Sequence, residues 1–247
     1  MFDFINISNM SMIYQTANNA FKHLYKVIEK DGVNYDKTKA LFNIGFYIEE
    51  PWNNKIKAKF RNWKEDYAEA EWQWYLSGDR NVAKLKEIYG KVPAIWNFMV
   101  DDLGNVNSNY GYQWEREYQL DKVVAKLKHQ PNTRQAVISI YDGKEICNYR
   151  YDTPCTTAVQ FSIVNNKLEM CVTMRSNDLW FGFCNDQYCF SELQKIVSER
   201  TNIEIGRYYH FAHNMHLYAR DLNKNNTESL KLTPHEKLLM SKQKEYH

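Results

Sequence analysis

No stretch of this 247-residue sequence stays apolar long enough to span a bilayer as a helix, which excludes a helical membrane protein. Proline and glycine are sparse, at 5 and 9 residues, and never gather with serine into a linker. One domain over residues 1–247 is therefore expected rather than two. Neither sign of charge dominates. The net value of +2 gives no electrostatic case for a nucleic-acid partner. The opening Met1-Phe2-Asp3-Phe4-Ile5-Asn6 has an acid and no basic residue ahead of its apolar ones, so neither a secretory leader nor a membrane partner is expected. Cysteines at 147, 155, 171, 184 and 189 form no Cys-x-x-Cys pair. Their odd count predicts free thiols in a reducing, cytoplasmic setting. What the chain does have is core material: 44% hydrophobic and 15% aromatic residues, enough for a sizeable interior.

The strongest local pattern runs from Ala158 to Met174. Val159, Phe161 and Ile163 alternate with Ala158, Gln160 and Ser162. Leu168, Met170, Val172 and Met174 alternate with Lys167, Glu169, Cys171 and Thr173. A period of two with β-branched and aromatic residues predicts a half-buried hairpin. Asn165-Asn166 joins the runs and suits a two-residue turn with both residues at positive φ. Reactive groups flank both ends. Asp152-Thr153-Pro154-Cys155 precedes the first strand; Arg175-Ser176-Asn177-Asp178, Gly182 and Asn185-Asp186 follow the second. A guanidinium forks onto two phosphate oxygens, and a neighbouring hydroxyl adds a third bond. A thiol beside such a clamp suits nucleophilic attack on a phosphorylated small molecule. Taken singly, each piece also has a plain structural reading, a small buried cysteine or a solvated turn.

Helices are expected over residues 14–29, ended by Asp31-Gly32; over 66–77, stopped by Gly78; and over 82–88, 118–129 and 188–200. Strands are expected within 33–50 and over 134–141, 203–212 and 215–219; residues 107–111 and 142–154 read as loops. Glu71 shares a helical face with Trp74 and Tyr75. It is either at the edge of that face or buried, and burial would raise its pKa and suit it to proton transfer through water. Leu120, Val123, Val124 and Leu127 make one apolar stripe. His210, His213 and His216 invite a metal, but at strand period His213 points away from the other two, so no metal site is expected.

Pro154-Cys155, Gln160-Phe161, Arg175-Ser176-Asn177-Asp178, Gly182, Asp186 and His216-Leu217-Tyr218 stand in an order that resembles the thymidylate synthase superfamily. The resemblance covers about Glu71 to Tyr218. Asn107-Ser108-Asn109-Tyr110-Gly111, the run from Arg175 to Asp186, and Thr156 where the superfamily usually has histidine are similar to its deoxycytidylate hydroxymethylase branch. The resemblance implies an α+β fold, thymidylate synthase-like, with a large mixed β-sheet covered by helices and one sheet face forming a dimer interface. It implies Cys155 as nucleophile and Glu71 as the active-site acid, with Trp74, Gly78 and Asp79 at the family spacing. It assigns Arg175, Ser176, Tyr110, His216 and Tyr218 to the nucleotide, with Tyr110 at the rim. Asp178, Trp96 and Gly182 go to the folate. The family has two consecutive arginines that cross a homodimer interface to the partner's phosphate. Here Arg134 is followed by Gln135, so Arg134 alone would cross. No arginine stands where the family has its N-terminal arginine loop; Lys37 or Lys39 would substitute.

Thymidylate synthases carry asparagine where this chain has Asp186. An asparagine amide can donate to uracil O4, whereas a carboxylate can only accept, as from the exocyclic amine of cytosine. Asp186 thus argues for dCMP. A register slipped by one would make Asn185 the reader and return uracil. The implied reaction moves a one-carbon unit from 5,10-methylenetetrahydrofolate to C5, with Cys155 bonded to C6. Water or hydride completes it. The hydrophilic end, Ser241 to His247, suits an open site and hence water. A dCMP or dUMP C5-methylase and a non-catalytic nucleotide- or RNA-binding relative are the alternatives.

Overall fold

The computed structural model describes residues 12–149 and 151–224. The hydrophilic end from Ser241 and the opening segment lie outside the described residues.

The hairpin forms as its alternation requires. β5 (Thr156–Val164) and β6 (Lys167–Met174) pair antiparallel, with Val164 opposite Lys167. Asn165 and Asn166 take φ of 51° and 63°, the left-handed geometry that matches strand twist in a two-residue turn. Val159, Phe161, Leu168, Met170 and Val172 are buried. β8 (Glu204–Tyr218) lies parallel to β6, and β3 (Thr38–Ile48) lies antiparallel to β8. β1 (Met12–Tyr14) and β2 (Val33–Tyr35) pair with β3, β4 (Val137–Ser139) pairs with β5, and β7 (Asn177–Asp178) pairs with β8. The result is one mixed sheet of order β1-β3-β8-β6-β5-β4.

Helices pack on the sheet. α1 (Ala17–Asp31) starts at Thr16, whose hydroxyl accepts from Asn19 N, and stops at Gly32. α6 (Gln119–His129) buries the stripe Leu120, Val123, Val124 and Leu127. α7 (Gly182–Thr201) lies against β6 and β8. On the opposite sheet face Tyr47, Tyr209, Phe211, Cys171 and Thr173 are only half-buried. α2 (Glu65–Ser77) ends on Gly78 at φ 62° and packs with α3 (Val82–Tyr89) and α5 (Tyr110–Glu115); α4 (Ala94–Met99) carries Trp96. No helix of the described residues is long and apolar enough to cross a membrane.

Four expectations need correction. Residues 107–111 are not a loop throughout: Asn109 caps α5, accepting from Tyr112 N, and Tyr110 and Gly111 are helical. α7 starts six residues earlier than the apolar pattern indicates, because Asn185 and Asp186 interrupt that pattern. The strand predicted over 134–141 shortens to β4, leaving Arg134 outside it. The two predicted C-terminal strands are one, β8, on which His210 and His216 are buried and His213 is exposed.

Candidate active site

Cys155 sits at the entrance to β5, on a loop tied down at every residue. Asp152 is buried, and its carboxylate accepts from Ser108 N at 2.6 Å and Ser108 Oγ at 2.5 Å. Its carbonyl accepts from Asn107 Nδ2 at 2.9 Å. Arg175 closes the other side: Nη2 donates to Thr153 O at 2.7 Å, Nε to Pro154 O at 3.0 Å, and backbone N to Cys155 O at 2.8 Å. Nη2 also lies 3.7 Å from the Cys155 Sγ. Thr156 N donates to the Tyr110 hydroxyl at 3.3 Å. Burial pushes the thiol up to about 11; Arg175 pulls it down, and Asp186, Asp152 and Asp178 push it further up. The guanidinium beside the sulfur is thus the group that favours the thiolate.

Glu71 projects from α2 into the interior, and burial raises its carboxyl to about 7. The opposing influence is the Tyr67 hydroxyl, one helical turn earlier, which donates to Oε1 at 2.9 Å. Trp96 Nε1 donates in turn to the Tyr67 oxygen at 2.8 Å. Indole, phenol and carboxyl form one directed chain. A carboxyl near 7 can hold or release a proton at neutral pH.

Asp186 lies on the second turn of α7. Burial raises its carboxyl, and the fields of Glu71 and Asp178 raise it further; the Asn177 amide, donating to Oδ2 at 2.7 Å, works against them. The Asn177 Oδ1 meets His210 Nε2 at 3.1 Å, and His210 Nδ1 meets the Tyr208 hydroxyl at 2.8 Å. Burial lowers His210 to about 3, so it stays neutral. Asp178 caps the turn before α7, accepting from Trp180 N at 2.9 Å and Phe181 N at 3.4 Å, and burial lifts it to about 6.

The remaining predicted residues are placed as follows. Tyr110 is buried, with its hydroxyl against Thr156 N beside Cys155. Gly182 opens α7 under the Asn177–Asp186 bond: a Cβ there would come within 2.9 Å of Asn177 Nδ2 and 3.3 Å of Asp186 Oδ2. Ser176, His216 and Tyr218 lie at the ends of β6 and β8, with the His216 and Tyr218 rings edge to face at 5.3 Å. Lys37 is exposed in the turn between β2 and β3, and its carbonyl accepts from Ala219 N, just past Tyr218. Lys39 is committed elsewhere, its Nζ donating to Glu29 O at 2.6 Å. Arg134 is exposed, and no hydrogen bond joins it to the Cys155 loop among the described residues.

Sequence reasoning assigned no role to Tyr67, Ser108, Asp152, Asn177 or His210. The helical spacing of Tyr67 and Glu71 was a usable signal. Ser108 with Asp152, and Asn177 with His210, are pairs that only the fold brings together.

A thiol held in place beside a guanidinium, with acids able to exchange protons around it, suits nucleophilic covalent catalysis. The comparisons make that class specific. The sequence model of the thymidylate synthase family matches residues 46–246, and the chain belongs to this family of folate-dependent one-carbon transfer enzymes. It is 31% identical over 216 residues to the deoxycytidylate 5-hydroxymethyltransferase of Enterobacteria phage T4, covering 81% of this chain and 82% of that protein. It is 32% identical over 189 residues to the phage T6 enzyme of the same name, covering 73% and 72%. It is 32% identical over 174 residues to the thymidylate synthase of Fusobacterium nucleatum, covering 68% and 62%.

Proposed function

We propose that the protein converts dCMP to 5-hydroxymethyl-dCMP, taking the carbon from 5,10-methylenetetrahydrofolate and the oxygen from water. The observation that carries this reading is the half-buried carboxyl of Asp186, held by the Asn177 amide at 2.7 Å and near enough to Glu71 and Asp178 to feel their charge. A carboxyl accepts from the cytosine amine and holds a proton on N3, which makes the ring an electron sink. The similarity to the two phage hydroxymethyltransferases supports both base and product.

Arg175, Ser176, His216 and Tyr218 bind the nucleotide in this reading. The Cys155 thiolate adds to C6, and negative charge spreads from C5 towards N3 beside Asp186. Methylenetetrahydrofolate would supply the one-carbon unit when bound, and loss of the C5 proton with departure of tetrahydrofolate would leave an exocyclic methylene on the ring. Asp178 suits its amino-pyrimidinone edge as an acceptor. The half-exposed Phe181 ring, with Arg61 and Arg220 guanidinium carbons 5.0 and 5.8 Å from its centre, suits an aromatic body with a carboxylate tail. Glu71, ionised, draws a proton from water as the water adds to the carbon now attached at C5. Expulsion of the Cys155 sulfur then restores the ring.

The homodimer belongs to the same reading. The half-buried apolar side chains on that sheet face support it, as does an exposed Arg134 with no tie to its own chain's Cys155 loop among the described residues.

The test is a product assay with dCMP or dUMP and methylenetetrahydrofolate, read by mass, with Cys155→Ser as control. Hydroxymethyl-dCMP is expected. Methyl-dCMP would overturn the water step, and turnover of dUMP alone would overturn the role of Asp186. Product from the Cys155→Ser protein would remove the nucleophile.

A further inference from the structure

Asn177 and His210 take no part in the steps above, yet Asn177 is 2% exposed and His210 0% exposed. Burying an amide and an imidazole is costly unless each hydrogen bond is made in a defined sense. Two senses are possible for a chain of this composition. In one, the Tyr208 hydroxyl donates to His210 Nδ1, Nε2–H donates to Asn177 Oδ1, and the Asn177 NH₂ donates to Asp186. In the other, every proton is reversed, and Asp186 must donate to the Asn177 oxygen. The arrangement here is the first: Nδ2 of Asn177 faces Asp186 Oδ2 at 2.7 Å and Oδ1 faces His210 Nε2 at 3.1 Å. Packing locks it. The His210 ring stacks on Phe46 at 5.3 Å and meets Phe183 edge-on at 5.2 Å. The absence of a Cβ at Gly182 leaves room for the Asn177–Asp186 bond.

We propose that Asn177, oriented by His210 and Tyr208, is a specificity-determining residue that holds Asp186 Oδ2 as a permanent hydrogen-bond acceptor and so selects an amino group over a carbonyl at position 4 of the pyrimidine. The inference rests on the proposed dCMP reaction and deepens it. Asp186 alone does not discriminate. A neutral carboxyl can donate from one oxygen and accept at the other, and by exchanging which oxygen holds the proton it can match cytosine or uracil. A donor fixed on Oδ2 ends that freedom, because a proton on the carboxyl then resides on Oδ1. Oδ2 keeps a second lone pair for the cytosine amine. Opposite uracil O4 it would place acceptor against acceptor. Asn177 and His210 touch Asp186 or each other rather than the reacting atoms, so they are positioning residues.

The experiment compares kcat/KM for dCMP and dUMP in the wild type, Asn177→Ala and His210→Phe. The phenylalanine keeps the ring packing and removes the donor that orients Asn177. The expected result is a dCMP-over-dUMP preference lowered about tenfold in Asn177→Ala, the upper end for loss of one hydrogen bond between neutral groups. A change in the same direction is expected in His210→Phe. A merely structural role would lower both substrates together and leave the ratio intact, and that outcome overturns the inference. A wild type without dCMP preference would instead sink the proposed function. If the variants do not fold, ¹⁵N–¹H spectra of the unaltered protein decide. A neutral His210 protonated at Nε2 is expected, and protonation at Nδ1 reverses the chain and overturns the proposal.

Discussion

Gly111 lies so close to Tyr75 that a Cβ on it would come to 1.6 Å from the Tyr75 carbonyl oxygen. This contact joins α5, whose Tyr110 accepts from the nucleophile strand, to α2, which carries Glu71. The thiol and the acid are therefore spaced by a helix crossing that only glycine permits. Gly111→Ala is expected to destabilise the protein by about 3 kcal/mol or more, the upper range for overpacking against backbone that cannot yield. Urea unfolding measures it. A loss under about 1 kcal/mol would show that the crossing is looser than described.

Burial of Glu71 makes stability depend on pH. Its carboxyl titrates at about 7 in the fold against 4.5 ordinarily. Between those values the unfolded chain has released the proton and the folded chain has not, so stability falls as pH rises through this window. The shift corresponds to about 3 kcal/mol. Glu71→Gln should remove that dependence, so the variant gains on the wild type by roughly this amount between pH 4 and pH 8. Denaturation curves at the two pH values would expose a flat difference, which would contradict a buried, titrating Glu71.

The Tyr67 hydroxyl is the influence that holds Glu71 down. With Tyr67→Phe the carboxyl should titrate higher. The proposed mechanism uses ionised Glu71 towards water, so the rising limb of the pH–rate profile, near 7 in the wild type, should move to higher pH. At pH 7 the variant should lose about tenfold in kcat, the scale of one lost hydrogen bond to a charged group. An unshifted profile would mean that Glu71 does not set the limb.

Arg134 offers a test of the proposed sharing of the site between two subunits. Arg134→Ala and Cys155→Ser should each be inactive as pure proteins. Refolded together in equal amounts, they should regain about a quarter of wild-type activity, because half the dimers are mixed and each mixed dimer has one intact site. A mixture that stays inactive would place Arg134 outside the partner's site.

The hairpin was legible in advance because strand alternation is a local rule, and so was the Asn165-Asn166 turn. The helix of Glu71 was legible too, through its pattern and the Gly78 stop. Cys155, Arg175 and Asp186 were visible as reactive residue types in a recognisable order. The start of α7 was not, because its first turns carry Asn185 and Asp186, which break the apolar pattern for a reason of chemistry rather than packing. Nor was α5, whose Tyr110-Gly111 pair looks like loop until its contact with Tyr75 is known.

The amino-acid sequence by itself determined the β5–β6 hairpin, the helix of Glu71 with its Gly78 stop, and the inventory of acids and thiol, since these follow from side-chain periodicity and backbone preference within a few residues. Tertiary structure alone decided what those groups become. Enclosure by α2 and α7 brings Glu71 near neutrality, because removing water penalises a charge whatever its neighbours in sequence. Contacts across 33 residues, from His210 to Asn177, give Asp186 a direction, because a buried amide must satisfy both its ends.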